Sequence, residues 1–382
     1  MAIAQPPRNQ SGLNCDGTNC ISFISKTFTG NDGAMVTVHL LPTPGQGAVH
    51  ARMTVNRRAA HALGKIHKEM AGRSYEADPE RYEQDVAYHF VYRLPTLVSA
   101  INYAMANNAI IIEVLGLPGP EKPPLTPEDG CVVEAKVGEH VVNLVGTFAG
   151  ASGLRGFSYV GENDGLMLRP VLPKRETASQ ASSQGFANDL DMHMDNADRT
   201  IPQTFDSARS DRGPMNSYQA FATVRECPHT PMEIAALQDI VNEAIEAHGN
   251  NLIDVLKQSD FAVRKPDSHG GGEALKGVPV LVKDSDGRMH GRFHMANVTG
   301  LTTQAEDALK KFRKVVAEAG SIVRIQGRPN GLILYSNTQC MHRRSRYIPR
   351  FDGSDRFYLR LYLSSFGVMT AYGAHANGRV FN

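Results

Sequence analysis

The sequence contains no tryptophan and only five cysteines among 382 residues. A sparse, odd number of cysteines does not provide the disulfide framework of a small secreted protein. Basic and acidic residues nearly balance, at 40 and 39, so the net charge of +1 creates no general attraction for nucleic acid or an anionic membrane. The longest apolar run, around residues 109–117, is far shorter than the ~20 residues that span a bilayer. Because the first residues also lack the pattern of a secretory signal, we expect a soluble cytoplasmic protein without nucleic-acid or membrane partners.

The composition is that of a globular protein, with 41% hydrophobic and 21% charged residues. Residues 1–20 are polar and rich in Asn, Gly and Pro, which predicts a flexible N-terminal tail. No internal repeat and no long linker divides the remainder. We therefore expect a single domain over residues 21–382.

Capping signals predict several helices. Asp78 followed by Pro79 places a capping oxygen and an N1 proline before an apolar helical repeat. S/T-x-x-E capping boxes at Thr230 and Thr303 predict helices over about 231–247 and 303–319. Apolar periodicity predicts further helices over 56–71, 96–107 and 138–149.

Strand-like segments cluster in the second half of the chain. The predicted strands cover residues 109–115, 167–172, 189–194, 218–225, 278–283, 321–328, 332–336 and 358–364. They do not alternate regularly with helices, which argues against a doubly wound parallel sheet and favours a mainly β fold, a β-sandwich or jelly roll with flanking helices. Two segments without clear secondary structure, 174–188 and 199–216, are predicted to be lid loops.

A histidine and an aspartate stand two residues apart, at His193 and Asp195, where the predicted strand 189–194 ends. Residues i and i+2 of a strand project to the same face, so the two side chains would converge. With one distant histidine they would form a 2-His-1-carboxylate triad, which binds Fe(II) and leaves coordination positions open. The pair alone is weak evidence, since a second one, His67 and Glu69, falls within a predicted helix where such residues diverge.

The C-terminal block from 330 to 363 makes the pattern specific. An apolar strand leads to Asn337, His342 follows five residues later, and Arg344-Ser345 comes next. The segment PRFDGSDR over 349–356 and then Arg360 complete the block. This combination resembles the distal motif of the clavaminate synthase-like iron(II)/2-oxoglutarate oxygenases of the taurine dioxygenase superfamily, which include amino-acid hydroxylases acting on arginine or asparagine. The resemblance extends more faintly over about 90–365.

Some residues depart from the family pattern. Asn330-Gly331 stands where the family has Gly-Asp, and Arg343 stands where it has Gly. The acidic ligand is Asp195 rather than the Glu of many close relatives, and Phe186 occupies a position that is often Ser. These differences concern the substrate more than the iron site.

The resemblance implies a mainly β fold with flanking helices around a double-stranded β-helix (jelly-roll) core. It implies Fe(II) held by His193, Asp195 and His342, with 2-oxoglutarate and O2 as cosubstrates. Arg356, 14 residues after the distal histidine, matches the residue that binds the far carboxylate of 2-oxoglutarate. The implied reaction is hydroxylation of a C–H bond in a free amino acid, basic or polar with arginine-like favoured, as 2-oxoglutarate is converted to succinate and CO2. Specialised metabolism is the implied setting.

The expected substrate contacts are less specific. Arg360 could hold a substrate carboxylate or support Arg356. Glu162 and Asn163 lie where relatives contact the α-amino end of their substrates. The histidines that flank Arg292 could be structural, exposed or in contact with substrate; they are His290 and His294.

Asp284 and Asp286 allow two interpretations. The sequence DSDG is typical of a tight hairpin turn. In arginine-hydroxylating relatives, a D-x-D in a comparable segment holds the guanidinium. The sequence leaves both possibilities open.

Two alternative functions also stay open. The same iron site could catalyse desaturation or cyclisation of an amino-acid-derived intermediate. A non-catalytic binding protein could have retained the jelly-roll scaffold, although the intact triad with Arg356 argues against it.

Overall fold

The computed structural model describes residues 9–15, 20–202, 213–226, 229–265, 272–365, 367–369 and 379–381. The strands and helices of the first half are β1 (Asn9–Cys15), β2 (Cys20–Thr29), β3 (Met35–Pro42), β4 (Val49–Val55), α1 (Arg57–Met70), α2 (Pro79–Arg93), α3 (Pro95–Ala106), β5 (Ala109–Leu115), α4 (Gly138–Val145), β6 (Leu154–Tyr159), β7 (Leu168–Val171) and β8 (Leu190–His193). Those of the second half are β9 (Tyr218–Arg225), β10 (Met232–Ala236), α5 (Leu237–His248), α6 (Asn250–Leu256), β11 (Phe261–Val263), β12 (Leu275–Val278), β13 (Leu281–Lys283), β14 (Met289–Gly291), β15 (Val298–Gly300), α7 (Thr303–Glu318), β16 (Ile322–Ile325), β17 (Leu332–Ser336), β18 (Cys340–Arg344), β19 (Phe357–Ser365) and β20 (Val380–Phe381). A π-helical segment, Gly146–Gly150, continues α4.

Side-chain caps start three of the helices. The side chains of Asn56, Asp78 and Thr302 accept backbone N–H groups at the starts of α1, α2 and α7. Such caps satisfy amide groups that have no partner within the helix. The predicted starts of these helices agree with the structure to within one residue, although the cap of α7 is Thr302 and not the Thr303 of the predicted capping box.

A large sheet forms the centre of the molecule. Its strand order is β1-β2-β3-β4-β5-β17-β9-β19-β6-β20, with β7 also pairing with β19. Most neighbours are antiparallel, whereas β4 with β5 and β6 with β20 are parallel. The predicted exclusion of a doubly wound parallel sheet agrees with this topology.

The two faces of the large sheet pack against different layers. On β19, Leu359, Leu361 and Leu363 belong to the core shared with α1–α4. Tyr358 on the opposite face belongs to a smaller core that includes residues of the second sheet. Alternation along a strand thus separates an apolar face from one that can carry polar side chains.

A second, four-stranded sheet lies opposite the polar face, with the order β16-β10-β18-β8. Its strands and the strands β11–β15 share a further core with α5, α6 and α7. The architecture is therefore strand-rich with several sheets and flanking helices. Within the described residues, no helix combines the length and the apolar character that a membrane span requires.

The structure differs from the sequence expectations in two segments. Within the tail expected over residues 1–20, residues 9–15 form β1, which pairs antiparallel with β2 through backbone hydrogen bonds. Residues 1–8 and 16–19 of the expected tail lie outside the described residues. Where a helix is expected from about 231, the chain forms β10, and α5 begins at Leu237. β10 lies between β16 and β18, with Ile234 fully buried, and this tertiary pairing outweighs the local capping signal.

Candidate metal centre

Two adjacent strands of the smaller sheet bring the histidines together. His193 ends β8 and lies directly opposite His342 of β18 in the antiparallel register. The ring centroids are 4.2 Å apart. Asp195 follows two residues after His193, in the turn that leaves the strand. Residues 147 or more positions apart in the chain thus meet because β8 and β18 are neighbours.

The side-chain atoms converge on one point. His193 Nε2 lies 3.2 Å from Asp195 Oδ1, and His342 Nε2 lies 3.8 Å from the same oxygen. One ligand atom from each residue lies within 4.8 Å of the others. This arrangement of two imidazoles and one carboxylate suits a metal ion bound on one face.

Hydrogen bonds orient two of the three groups. His193 Nδ1 lies 2.7 Å from the carbonyl oxygen of Asp191, so its Nδ1–H can donate there and leave Nε2 as a lone-pair donor. Asp195 Oδ2 accepts from Arg360 Nη1 at 3.0 Å and from Tyr362 Oη at 2.9 Å. Asp195 Oδ1 is therefore the oxygen that faces the histidines.

The protonation states agree with this geometry. Burial alone would raise the pKa of Asp195, but its contact with His193 and the charge of Arg360 outweigh burial and hold that pKa well below its usual range. Burial, together with the nearby His193, lowers the pKa of His342 to about 3. A charged carboxylate and a neutral imidazole are the forms that bind metals.

Asn337 holds the backbone of Asp195. Its Oδ1 accepts the Asp195 N–H at 3.0 Å, and its Nδ2 donates to the Asp195 carbonyl at 2.9 Å. The same amide contacts Asn216 and Gln219, and the side chain is fully buried. The amide pairs with both polar groups of the Asp195 backbone, as a neighbouring strand would.

A cavity opens in front of the three residues and has a basic end. Arg344 and Arg356 line this end, and both are almost fully buried. Their guanidinium carbons lie 5.3 and 5.4 Å from the ring centroid of Tyr347. Within the described part of the chain, Arg356 Nε has no hydrogen-bond partner. Burial and the nearby charge of Arg356 lower the pKa of Arg344 to about 10.

A second charged cluster lines the cavity next to Asp195. Arg360 Nη2 donates to Glu162 Oε1, and Arg169 Nη1 donates to the same oxygen at 2.9 Å. Tyr362 Oη lies 3.2 Å from it. Burial opposes the charge on Arg360, but the nearby Glu162, Tyr362 and Asp195 outweigh burial and raise its pKa. Arg360 therefore contacts the candidate metal ligand and Glu162.

The structure separates the other expected substrate residues from the cavity. Asn163 lies outside it and donates to the carbonyl of Leu168 at 3.0 Å. Asp284 lies in the turn between β13 and β14, where its Oδ1 accepts the N–H groups of Asp286 and Arg288. The geometry of the DSDG segment is thus that of a turn, and neither aspartate lines the cavity.

The two histidines that flank Arg292 have different surroundings. His290 is buried, with Nδ1 2.9 Å from Thr338 Oγ1 and Nε2 3.1 Å from Asp284 Oδ2. His294 lines the cavity, and its ring centroid lies 5.4 Å from that of His193. Only His294 is placed to contact a substrate.

Sequence reasoning assigned roles to Arg356 and Arg360 and missed the four other arginines that line the cavity, which are Arg169, Arg264, Arg343 and Arg344. Arg344 stands two residues after His342 on the same strand, so alternation could have placed it on the cavity face. Arg169 gave no signal of this kind, because its contact with Glu162 depends on the path of the chain between β6 and β7. The loop 174–188 contributes Ala181, Ser182 and Ser183 to the cavity wall, while residues 203–212 of the other expected lid lie outside the described residues.

Comparison with known structures places the fold among those of the non-heme iron oxygenases. An asparagine oxygenase in complex with Fe(II), 2S,3S-3-hydroxyasparagine and succinate matches with a TM-score of 0.72 and 20% identity, over 86% of this chain and 98% of the other. The non-heme iron oxygenase OrfP in complex with Fe and α-ketoglutaric acid matches with a TM-score of 0.71 and 16% identity, over 87% of this chain and 100% of the other.

One curated protein is similar in sequence, and no family model matches the chain. L-lysine 3-hydroxylase of Catenulispora acidiphila is 24% identical over 238 residues, which are 59% of this chain. The chain spans 60% of the length of that hydroxylase, less than two thirds.

Proposed function

We propose that this protein is an Fe(II)/2-oxoglutarate-dependent oxygenase that hydroxylates a free amino acid with a basic or polar side chain. The observation that carries the proposal is the convergence of His193, Asp195 and His342 in a cavity that also contains the buried Arg356. The fold shared with the iron oxygenases supports the proposal, and we infer a double-stranded β-helix (jelly-roll) core formed by the two facing sheets.

The three residues fit iron by the chemistry of their donors. Two neutral imidazoles and one monodentate carboxylate form the donor set of a facial triad. Arg360 and Tyr362 occupy the second oxygen of Asp195, so that oxygen would stay off the metal. Bound iron would supply the activation of O2 that couples decarboxylation of 2-oxoglutarate to oxygen insertion into a C–H bond.

The basic end of the cavity would hold the cosubstrate. Arg356 offers a fixed, permanently charged fork for the far carboxylate of 2-oxoglutarate. Arg344 places a second positive charge close by. The carboxylate would offset the repulsion between the two guanidinium groups, which is a physical reason for their juxtaposition.

The cluster next to Asp195 would bind the amino-acid backbone. Glu162 is an acceptor for an α-ammonium group, and Arg360 can reach an α-carboxylate while it holds Asp195. The loop 174–188 covers this end, where Ser183 Oγ lies 3.2 Å from Arg169 Nε. We infer that this loop helps to keep water away from the reacting C–H bond.

The alternatives have less support. The iron oxygenase structures that match the fold include complexes with 3-hydroxyasparagine and with (3S)-hydroxy-L-arginine, both of which are hydroxylated amino acids. No contact among the described residues favours desaturation or cyclisation. A non-catalytic binding protein would not require three oriented metal-ligand atoms.

The test is substrate-dependent succinate formation. Protein reconstituted with Fe(II) under anaerobic conditions would receive 2-oxoglutarate, O2 and single amino acids from a panel. We expect succinate together with a product that has gained one oxygen atom. His193→Ala is the control that should lose iron and both products; equal succinate from that variant, or none from the wild type with any amino acid, would refute the proposal.

A further inference from the structure

His294 extends the row of histidines in the cavity without joining the triad. Its backbone forms an antiparallel bridge with His193, on the side away from His342. It lines the cavity but is not part of the convergent group of ligand atoms. The side chain is therefore beside the iron site and free to do something else.

A backbone contact defines the tautomer of His294. The N–H of Ala296 donates to His294 Nδ1 at 3.2 Å. A nitrogen that accepts a hydrogen bond carries no proton, so the ring proton is on Nε2. No hydrogen bond to Nε2 is present among the described residues. His294 is half-buried and therefore presents to the cavity an N–H donor that an acceptor atom of a ligand can use.

The wall around His294 is formed by Val263, Arg264 and Asn297. The backbone ties this wall together, because Arg264 N–H donates to the Asn297 carbonyl and Asn297 N–H donates to the His294 carbonyl. The side chains of this wall include one amide and one guanidinium, and among the described residues none of its members is acidic.

The net charge of the cavity lining also favours a ligand atom that accepts hydrogen bonds. Among the described lining residues there are six arginines and three carboxylates, with Arg343 paired to Glu233. Iron and the 2-oxoglutarate dianion have opposite and equal charges, so their binding leaves the positive excess in place. A cationic side chain would be repelled there, whereas a carbonyl or carboxylate oxygen would be attracted.

We propose that His294 donates its Nε2–H to a carbonyl or carboxylate oxygen in the substrate side chain. The substrate class is then an amide or acidic amino acid and not a basic one. This inference rests on the proposed function and narrows it. It also agrees with the position of Asp284 and Asp286, which a guanidinium substrate could have used only if they lined the cavity.

The experiment compares the binding of an acceptor ligand and of its apolar isostere to the wild type and to two His294 variants. Calorimetry would measure binding of asparagine and of its apolar isostere leucine to protein loaded with Mn(II) and 2-oxoglutarate, without O2. Aspartate, glutamine and glutamate, each with an apolar isostere, would extend the acceptor series, with arginine and lysine as the basic arm. His294→Leu removes the donor, and His294→Gln keeps an N–H donor in similar space.

We expect the wild type to prefer an acceptor side chain over its apolar isostere by about tenfold or more, equivalent to one hydrogen bond of ~1.4 kcal/mol. His294→Leu should abolish that preference, His294→Gln should restore part of it, and the melting temperatures of the metal-free proteins should stay equal. Tighter binding of arginine or lysine, or an unchanged preference in His294→Leu, would overturn the inference.

A separate readout distinguishes this outcome from failure of the proposed function. Slow succinate formation without any amino acid reports on the iron and 2-oxoglutarate sites alone. If that activity is present while the His294 variants behave like the wild type, only the substrate inference fails. If the wild type neither forms succinate nor binds 2-oxoglutarate, the proposed function itself fails and the substrate inference falls with it.

Discussion

Replacement of Asn337 by alanine should weaken metal binding without any change in a ligand. The side chain makes five contacts, but its two N–H groups are shared among three acceptors, so about four full hydrogen bonds are lost. Each is worth ~1 kcal/mol, and the buried polar groups left without partners add to the loss. We expect Asn337→Ala to lower the free energy of unfolding by ~3–5 kcal/mol.

The expected effect on metal affinity follows from the groups to which Asn337 is hydrogen-bonded. Two of them hold the N–H and C=O of Asp195, which presents its Oδ1 to the two histidines. Without them the carboxylate would sample a wider range of positions. Residues that orient metal ligands typically contribute 10–100-fold in affinity, so we expect a loss of that size for Mn(II) or Fe(II), measured by calorimetry or by competition with a chelator.

Asn143 provides the matched control. It is fully buried, contacts His67 Nε2 at 2.7 Å and donates to the Pro118 carbonyl at 2.8 Å. Asn143→Ala should therefore destabilise the fold while metal affinity stays normal. If Asn337→Ala and Asn143→Ala lose similar stability and both bind metal like the wild type, Asn337 is merely structural and the reasoning is wrong.

Three further perturbations test other parts of the molecule. Arg356→Ala would leave the far carboxylate of 2-oxoglutarate unpaired, at a cost of about 2–5 kcal/mol. Steady-state assays should therefore show a KM for 2-oxoglutarate raised ~30-fold or more, with the iron content near normal and an intermediate KM for Arg356→Lys. An unchanged KM in Arg356→Ala would contradict the assignment. Because the Asp195 carboxylate would fill a metal coordination position that chloride would otherwise need, mass spectrometry should find hydroxylated and not chlorinated product in chloride buffer. Glu83 is fully buried and pairs with Arg379 at 2.8 Å and with the Tyr75 hydroxyl at 2.9 Å. Urea titrations should show that Glu83→Gln lowers the free energy of unfolding by ~3–5 kcal/mol. A loss below ~1 kcal/mol would argue that these buried groups do not act as a coupled network.

Local sequence signals predicted the helix starts, where a neighbouring side chain accepts hydrogen bonds from the free backbone N–H groups. The caps at Asn56, Asp78 and Thr302 act within one turn, so the sequence places these helix starts well. The alternation along β19 is equally local. It separates apolar and polar faces whatever the rest of the chain does.

The wrong predictions lie in segments whose secondary structure depends on contacts with residues far away in the sequence. β10 has an amphipathic helical pattern and a capping box, but its pairing with β16 and β18 makes it a strand. The contact of Glu162 with Arg360 joins residues 198 positions apart. No periodicity in a single sequence encodes such a pairing. The three candidate metal ligands could be predicted because His193 and Asp195 are two residues apart in the sequence and His342 belongs to a dense motif.

Strand β19 connects the two ends of the candidate site. Arg356, at its start, lies at the basic end of the cavity, and Arg360 contacts Asp195 beside the metal ligands. Both project from the face opposite the leucines, because they are an even number of residues apart. Four residues of strand cover ~13 Å. The spacing between the proposed carboxylate anchor, Arg356, and the proposed metal site is thus set by a strand that is hydrogen-bonded on both sides. The rigidity of that strand explains why the motif around His342 and Arg356 is informative in sequence while the substrate contacts, which come from loops and separate strands, are not.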